Sequence, residues 1–570
     1  MEKIISIGNQ GFQSIRENDC FYVDKSDFIR QWWESKDIVT LITRPRRFGK
    51  TLNMDMLNCF FSNQCKNKSD LFAGLSIWKT EKYRKLQGAY PVIFLSFANI
   101  KADNYNDAKN GIISVINGAY RNHEYLRQSD ILTDGEKSFI DQLDRYVNDL
   151  SADKQISNEA VYRALNLLSS CLARYYGKNV IVLLDEYDTP MQEAYLAGYW
   201  TEFTTLIRNL FNAVFKTNPY LERAVMTGIT RVSKESVFSD LNNLNVVTTT
   251  SKEYSDCFGF TEKEVFDALD SYNMSGEKEK VKQWYDGFVF GDQRDVYNPW
   301  SITSFLDKKA YQTYWAATSS NKLINRLIRT ASPEIKKAME QLLQDQTIRV
   351  SFDEQIVFDQ LDTSEEAIWS LLLASGYLKA EQIEYEPEEM RPWYSLKITN
   401  QEIKAMFSQL FRGWFQKAPV AYNAFVKALL SGNVKEMNLY INDVALETFS
   451  SFDTGKHPSG KAQPERFYHG FVLGLLVELG KDYILQSNGE SGYGRYDVAL
   501  IPRRKGTDAI IMEFKVHDPE GETSLEDTVR EALKQIDDKK YDTQLQAMGI
   551  QPEKIRHYGF AFEGKRVLIG

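Results

Sequence analysis

The sequence predicts an α/β protein led by a phosphate-binding-loop (P-loop) NTPase domain with a parallel sheet. Two observations carry that expectation. Four short apolar runs, DIVTLIT (37–43), PVIFLSF (91–97), NVIVLLD (179–185) and ERAVMTGI (222–229), alternate with longer helical patterns such as EAVYRALNLLSSCLARYY (159–176). Buried strands separated by helices indicate a largely parallel sheet. The first run also leads directly into Gly49-Lys50-Thr51 and an amphipathic stretch, TLNMDMLNCFFS. A phosphate site needs that order: backbone N–H groups at a helix N-terminus, a lysine for the β- and γ-phosphates and a hydroxyl for Mg²⁺.

The loop departs from its usual form, in which a glycine stands five positions before Gly49. Arg44 occupies that position and Pro45 follows. Proline fixes one backbone angle and has no N–H, so the cradle must come from Arg46, Arg47, Phe48, Gly49, Lys50 and Thr51. Arg46 and Arg47 are expected to compensate for the missing glycine with positive charge, and Arg44→Gly is expected to be tolerated. The acidic half of the site is expected at the end of another buried strand. NVIVLLDEYDTP supplies Asp185, a Mg²⁺ ligand through water, and Glu186, which would polarise the attacking water. The same two acids also fit a plain strand cap.

The first domain is placed at 1–255. Residues 256–330 read as a helical lid with aromatic punctuation, WYDGFVFG and VYNPWSITSFL. Residues 331–452 read as a helical, winged-helix-like connector around AIWSLLLASGYLKAE. DTGKHPSGKAQ (453–463) is a polar linker that opens a last domain, 453–570. There an apolar helix, RFYHGFVLGLLVELG, is followed by the strands RYDVALIP and DAIIMEFKV, the helix TSLEDTVREALKQIDDKKY and two closing strands.

A net charge of −9 argues against a nucleic-acid coat but not against a local basic groove. Five scattered cysteines with no C-x-x-C pair argue against a disulfide framework or a zinc site. No run approaches the ~18 apolar residues of a membrane span, and the N-terminus does not read as a signal peptide. A cytoplasmic protein without membrane contact is expected.

RPRRFGKTL, GNQGFQSIRENDCFYVDKSDFI, LLDEYDTP, MTGITRVSKESVFSDLNNL and WYDGF together resemble the AAA-ATPase-like family of bacterial proteins. Members commonly carry a C-terminal PD-(D/E)XK nuclease-like domain. The resemblance implies that the arginine-rich loop is a real nucleotide site without its first glycine. It further implies that Thr227 lies near the γ-phosphate and that Arg231 is an arginine contact. A capped strand and a surface cation fit those two residues equally well. Tyr22-Val23-Asp24-Lys25 matches a family signature whose role the sequence does not give.

Asp497 lies in RYDVALIP, and Glu513 and Lys515 lie in IIMEFKV. A turn between the two strands would set Asp497 beside Glu513, and Glu513 and Lys515, two apart, share one face. Two carboxylates and a lysine on one face suit metal-dependent phosphodiester hydrolysis; a solvated strand face is the plainer reading of so common a pattern. The resemblance extends to the PD-(D/E)XK core, with Glu465 on the preceding helix and Gln535 and Tyr541 on the following one. The proline of that motif is absent, since Tyr496 precedes Asp497. Arg503, Arg504, Lys505, Lys534, Lys539 and Lys540 fit phosphate contacts or a solvated surface.

The function expected is therefore an ATP-binding, ATP-hydrolysing protein with an ATP-regulated, Mg²⁺-dependent nuclease acting on DNA. Thr51, Asp185, Asp497 and Glu513 are the metal ligands expected, and nucleic acid and ATP the partners. The alternative is a signalling switch or binding module whose C-terminal domain grips nucleic acid or a partner without cutting. Assembly with further copies of the chain is compatible with the sequence, which does not fix an oligomeric state.

Overall fold

The computed structural model describes residues 2–148, 156–230, 237, 238, 240–316, 322–354, 361, 364–386, 391–415, 422–448, 472, 476, 479, 482–504, 506–519, 521–563 and 566–570. The chain divides into two compact units, Met1–Thr330 with Asp345–Lys404, and Ala331–Gln344 with Ala405–Gly570.

The first unit is built on a parallel sheet of β1 (Val39–Thr43), β2 (Val92–Ser96), β3 (Val180–Asp185), β4 (Leu221–Gly228) and β5 (Leu244–Val247), in the order β2-β3-β4-β1-β5. The first four are the four apolar runs. The fifth, LNVV, is too short to stand out in the sequence. Every residue of β1 and β3 is buried, so both read as continuous apolar runs rather than alternating ones. β4 lies between β1 and β3, with Ile42 opposite Thr227 and Leu184 opposite Met226. The carboxyl ends of the three strands therefore converge, where ligands bind in open α/β sheets. The helix Lys50–Phe61 follows β1 directly. It packs Met54, Leu57, Phe60 and Phe61 into the core that also holds Ile42, Ile181 and Val225.

Two small antiparallel sheets follow. β6 (Phe260–Thr261), β7 (Phe288–Phe290) and β8 (Gln293–Tyr297) pair in the order β6-β8-β7 within the stretch expected to be helical. Strands of two to five residues are too short for alternation to show. β9 (Ile348–Ser351), β10 (Leu378–Glu386) and β11 (Arg391–Ile398) pair in the order β10-β11-β9. The helix Glu365–Ala374 precedes β10, as AIWSLLLASGYLKAE suggests.

The second unit holds a mixed sheet of β12 (Tyr483–Ser491), β13 (Gly494–Pro502), β14 (Ala509–Val516), β15 (Ile555–Glu563) and β16 (Arg566–Ile569), paired in chain order. Only β14 and β15 pair in parallel, and the helix Leu525–Asp538 crosses between them. The two faces of β14 are divided cleanly. Ile510, Met512 and Phe514 pack with Phe425, Leu429, Met437 and Ile441, whereas Ile511 packs with Ile536 of the crossover helix. Glu513 and Lys515 share the face of Ile511, which aims them at that helix. The expected apolar helix over 466–480 lies outside the described residues except for Val472, Leu476 and Leu479, all buried.

Among the described residues no helix is long and apolar enough to cross a membrane. All five cysteines are free and buried.

Candidate functional site

In the first unit the loop after β1 turns through Arg47, at φ 65°, and Gly49, at φ 80°. Gly49 is the residue that enters the helix Lys50–Phe61. The left-handed conformation there favours glycine. A Cβ on Gly49 would meet nothing within 4 Å, so the space before the helix N-terminus is open. Lys50 is buried, and its Nζ donates to Arg44 O at 2.9 Å and Pro45 O at 2.8 Å. Burial pulls the Lys50 pKa down, against the opposing pull of Glu186, Asp185 and Asp188. A helix N-terminus with a lysine at its base fits a phosphate group.

The acidic half lies at the end of β3. Thr51 Oγ1 donates to Asp185 Oδ2 at 2.7 Å, and Thr227 Oγ1 donates to Asp185 Oδ1. Asp185 thus joins the loop helix to β4. Burial pushes its carboxyl up, and the two threonine hydrogen bonds oppose that. The hydroxyl and carboxylate together fit a hard divalent cation. Glu186 sits at φ 52°. Its N–H donates to Thr227 Oγ1 at 3.4 Å and its carboxylate accepts from Thr189 Oγ1 at 3.1 Å. Arg231 lies outside the described residues.

The basic side chains of the loop point to partners of their own. The Arg47 guanidinium stacks 4.3 Å from the ring centroid of Trp300. Arg46 donates to Gln192 Oε1 at 3.4 Å. The Phe48 ring is buried, 4.7 Å from Phe288 and 5.2 Å from Phe290 between centroids, so Phe48 offers a ligand only its backbone.

Arg44 is a structural residue that sequence reasoning misjudged. It is fully buried; its guanidinium donates to Thr43 O at 2.9 Å, Thr248 O at 2.6 Å and Glu253 O at 3.2 Å. It lies 4.7 Å from the Phe290 ring centroid, and burial lowers its pKa to about 10. The expectation that Arg44→Gly would be tolerated is therefore reversed: an arginine that ties the loop base to the segment after β5 stands where the usual loop has a glycine. Asp188 was also missed. It is buried and accepts from Ile229 N at 2.8 Å, Thr230 N at 2.9 Å and Thr230 Oγ1 at 3.0 Å. Its place in LLDEYDTP, two residues after the expected catalytic acid, was the available signal. The Tyr22–Lys25 signature also gains a role. Asp24 accepts from Ser26 N and Ser76 N, and Lys25 Nζ pairs with Glu264 at 2.7 Å and donates to Asp256 O.

In the second unit β13 and β14 pair through Val498–Met512. Extending that register by one residue sets Asp497 opposite Glu513. Asp497 Oδ2 accepts from Phe514 N at 2.8 Å. Glu513 is 3% exposed. Gln535, on the crossover helix, donates to Glu513 Oε1, accepts from Lys515 Nζ at 2.8 Å and reaches Tyr541 Oη at 3.2 Å. Asp497, Glu513, Lys515 and Gln535 are thus brought together, with Tyr541 behind them. Two carboxylates on adjoining strands, with a lysine held beside them, are donors suited to a hard divalent cation. Glu465 lies outside the described residues, as does Lys505. Arg503 and Arg504 stand at the far end of β13 from Asp497, and Arg504 pairs with Asp482 at 3.7 Å.

Residues 6–238 match the family model described as predicted AAA-ATPase, and residues 463–570 match that of the PD-(D/E)XK nuclease superfamily. An uncharacterised protein in the vnfD 5′ region of Azotobacter chroococcum mcd 1 is 26% identical across the whole of this chain and 98% of its own length. Domains of these two kinds generally use a nucleotide and a divalent metal. The chain therefore carries an AAA-ATPase-like domain in its N-terminal part and a PD-(D/E)XK nuclease-superfamily domain at its C-terminal end.

Proposed function

We propose that the protein is an ATP-regulated, Mg²⁺-dependent nuclease acting on DNA. The observation that carries this reading is the gathering of Glu513 and Lys515 on Gln535, with Asp497 on the adjoining strand, in a sheet that the superfamily model matches. Asp497 and Glu513 would hold a divalent ion, which would supply Lewis acidity toward a phosphodiester and lower the pKa of a bound water. Lys515 would orient that water or meet the developing phosphate charge, and Gln535 holds Lys515 in place. In the first unit Lys50 and the helix N-terminus would take the ATP phosphates. Thr51 and Asp185 would share the Mg²⁺, Glu186 would orient the attacking water, and Thr227 would read the γ-phosphate end.

The test is loss of plasmid DNA in Mg²⁺, with and without ATP, by wild type, Asp497→Ala and Lys50→Ala proteins. The reading expects cleavage that Asp497→Ala abolishes and that Lys50→Ala makes indifferent to ATP. Nucleic acid bound but never cut, by a protein that binds ATP, would favour the switch or binding module instead.

A further inference from the structure

The β12–β13 hairpin turns at Gly492 and Tyr493, and its tip is fastened to the end of the Leu525–Asp538 helix. Tyr493 N donates to Lys539 O at 2.8 Å. Ser491 Oγ donates to Tyr541 O at 2.7 Å and accepts from Gln544 N at 3.0 Å. Gly492 has φ +59°, and a Cβ there would stand 2.1 Å from Lys539 O, so glycine is required for so close an approach. Held this way, Tyr493 is 73% exposed, and Lys540 Nζ lies 5.7 Å from its ring centroid. Arg495 and Lys539 are exposed beside it, as are the acids Asp537 and Asp538. Asp537 lies 3.7 Å from His557 Nδ1.

The same turn supports the carboxylate site. Tyr541 Oη donates to Arg495 O at 2.8 Å and meets Gln535, which holds Glu513 and Lys515. Tyr493 is four residues from Asp497, at most roughly 13 Å at ~3.3 Å per residue. An exposed aromatic ring on a fastened turn, with a lysine over it and further cations near in the chain, suits one ligand class well. An unpaired base stacks on the ring while neighbouring phosphates meet the cations. A continuous duplex hides its base faces and cannot use the ring this way.

We propose that Tyr493 stacks an unpaired base of a single-stranded nucleic-acid segment whose phosphates meet Arg495, Lys539 and Lys540. The proposal rests on the nuclease reading and adds its substrate class, a strand with unpaired bases beside the cut. Arg503 and Arg504, at the other end of β13, take no part.

The test is binding of the full chain to single-stranded and duplex DNA of one sequence, measured by fluorescence anisotropy in Ca²⁺. Wild type should prefer the single strand. Tyr493→Ala should weaken single-strand binding about 5- to 150-fold, the size of one lost base–aromatic stack, whereas Tyr493→Phe should keep it. Duplex binding and the melting temperature should stay unchanged in both. Single-strand affinity unchanged in Tyr493→Ala, or an equal loss for duplex, overturns the stacking role. If the wild type nevertheless cleaves DNA in an Asp497-dependent way, the nuclease reading survives that result. A wild type that neither binds nor cuts either DNA removes both.

Discussion

Thr51 Oγ1 donates to Asp185 Oδ2 at 2.7 Å, joining the first turn of the loop helix to the end of β3. In the proposed function this hydroxyl and carboxylate would share the Mg²⁺ of a bound nucleotide. Thr51→Val keeps the shape and removes the hydroxyl. Its Mg²⁺·ATP affinity should fall about ten- to a hundredfold, the cost of one hydrogen-bonding partner to a charged group, while affinity for metal-free ATP changes little. Calorimetry with and without Mg²⁺ separates the two. Equal losses in both conditions would mean that Thr51 acts only on the fold.

Glu186, proposed to orient the attacking water, has a strained backbone. At φ 52° a residue with a side chain gives up roughly 1–2 kcal/mol that glycine would not. Glu186→Gln should bind ATP normally and hydrolyse it ~10²–10⁴-fold more slowly, as expected for a lost general base. Glu186→Gly should be equally slow, yet melt no lower than wild type. Normal turnover in Glu186→Gln would remove Glu186 from the water-orienting role.

Arg44→Gly should cost about 3 kcal/mol or more. It empties a fully buried site and leaves the carbonyls of Thr43, Thr248 and Glu253 without their donor. Arg47→Ala removes only a stack on Trp300 and should cost about 1 kcal/mol or less. Urea melts of the two variants check the order. An Arg44→Gly protein as stable as wild type would restore the expectation, drawn from the sequence, that glycine is tolerated there.

The difference between those arginines explains what could be read in advance. β1 and β3 were legible because a strand buried along its whole length leaves a continuous apolar run. The Asp497–Glu513–Lys515 grouping was legible because charges in apolar strands demand a reason. Arg44 was not. Two of its three partners are backbone carbonyls more than 200 positions away, the third is the carbonyl of its own neighbour Thr43, and a carbonyl leaves no mark in the sequence. The β6-β8-β7 sheet was hidden for another reason, because a three-residue strand such as FVF carries no period. Gln535 was readable only through the resemblance, since nothing local distinguishes it from other polar residues of its helix.

Asp286, of the WYDGF motif, should make stability pH-dependent. Burial, and then the neighbouring Asp295, raises its pKa from 3.8 to about 7. Glu262 and Asp295 lie with it, all within 4.8 Å, and Lys282 pairs with Glu262 and lies 3.7 Å from Asp295. Between those two pH values the folded state holds a proton that the unfolded chain releases. Stability from this group therefore falls as pH rises from about 4 through about 7. Asp286→Asn mimics the protonated form. It should raise the melting temperature at pH 8, match wild type near pH 4, and flatten the profile between them. A variant less stable than wild type at pH 8 would show that the charged carboxylate is the favoured form.

The carboxylate site of the second unit separates metal binding from rate. Asp497 and Glu513 are the two acids on adjoining strands, so Asp497→Ala and Glu513→Ala should each lose Mn²⁺ binding and cleavage together. Lys515 is a cation and cannot ligate a metal while charged; Lys515→Ala should keep the metal and lose rate. Gln535 touches Glu513 and Lys515 at once, so Gln535→Ala should loosen both, giving weaker Mn²⁺ binding and slower cleavage than wild type but more activity than Asp497→Ala. Ca²⁺ should bind without supporting cleavage, because it is a weaker Lewis acid with looser geometry. Calorimetry with Mn²⁺ and a gel assay on single-stranded DNA, duplex DNA and RNA give the two readouts. If Lys515→Ala loses metal as completely as Glu513→Ala, the lysine is holding the strands in place rather than acting on water. If Mn²⁺ binds with equal strength after Asp497→Ala and Glu513→Ala, the metal lies elsewhere and the cutting role of this face is lost with it.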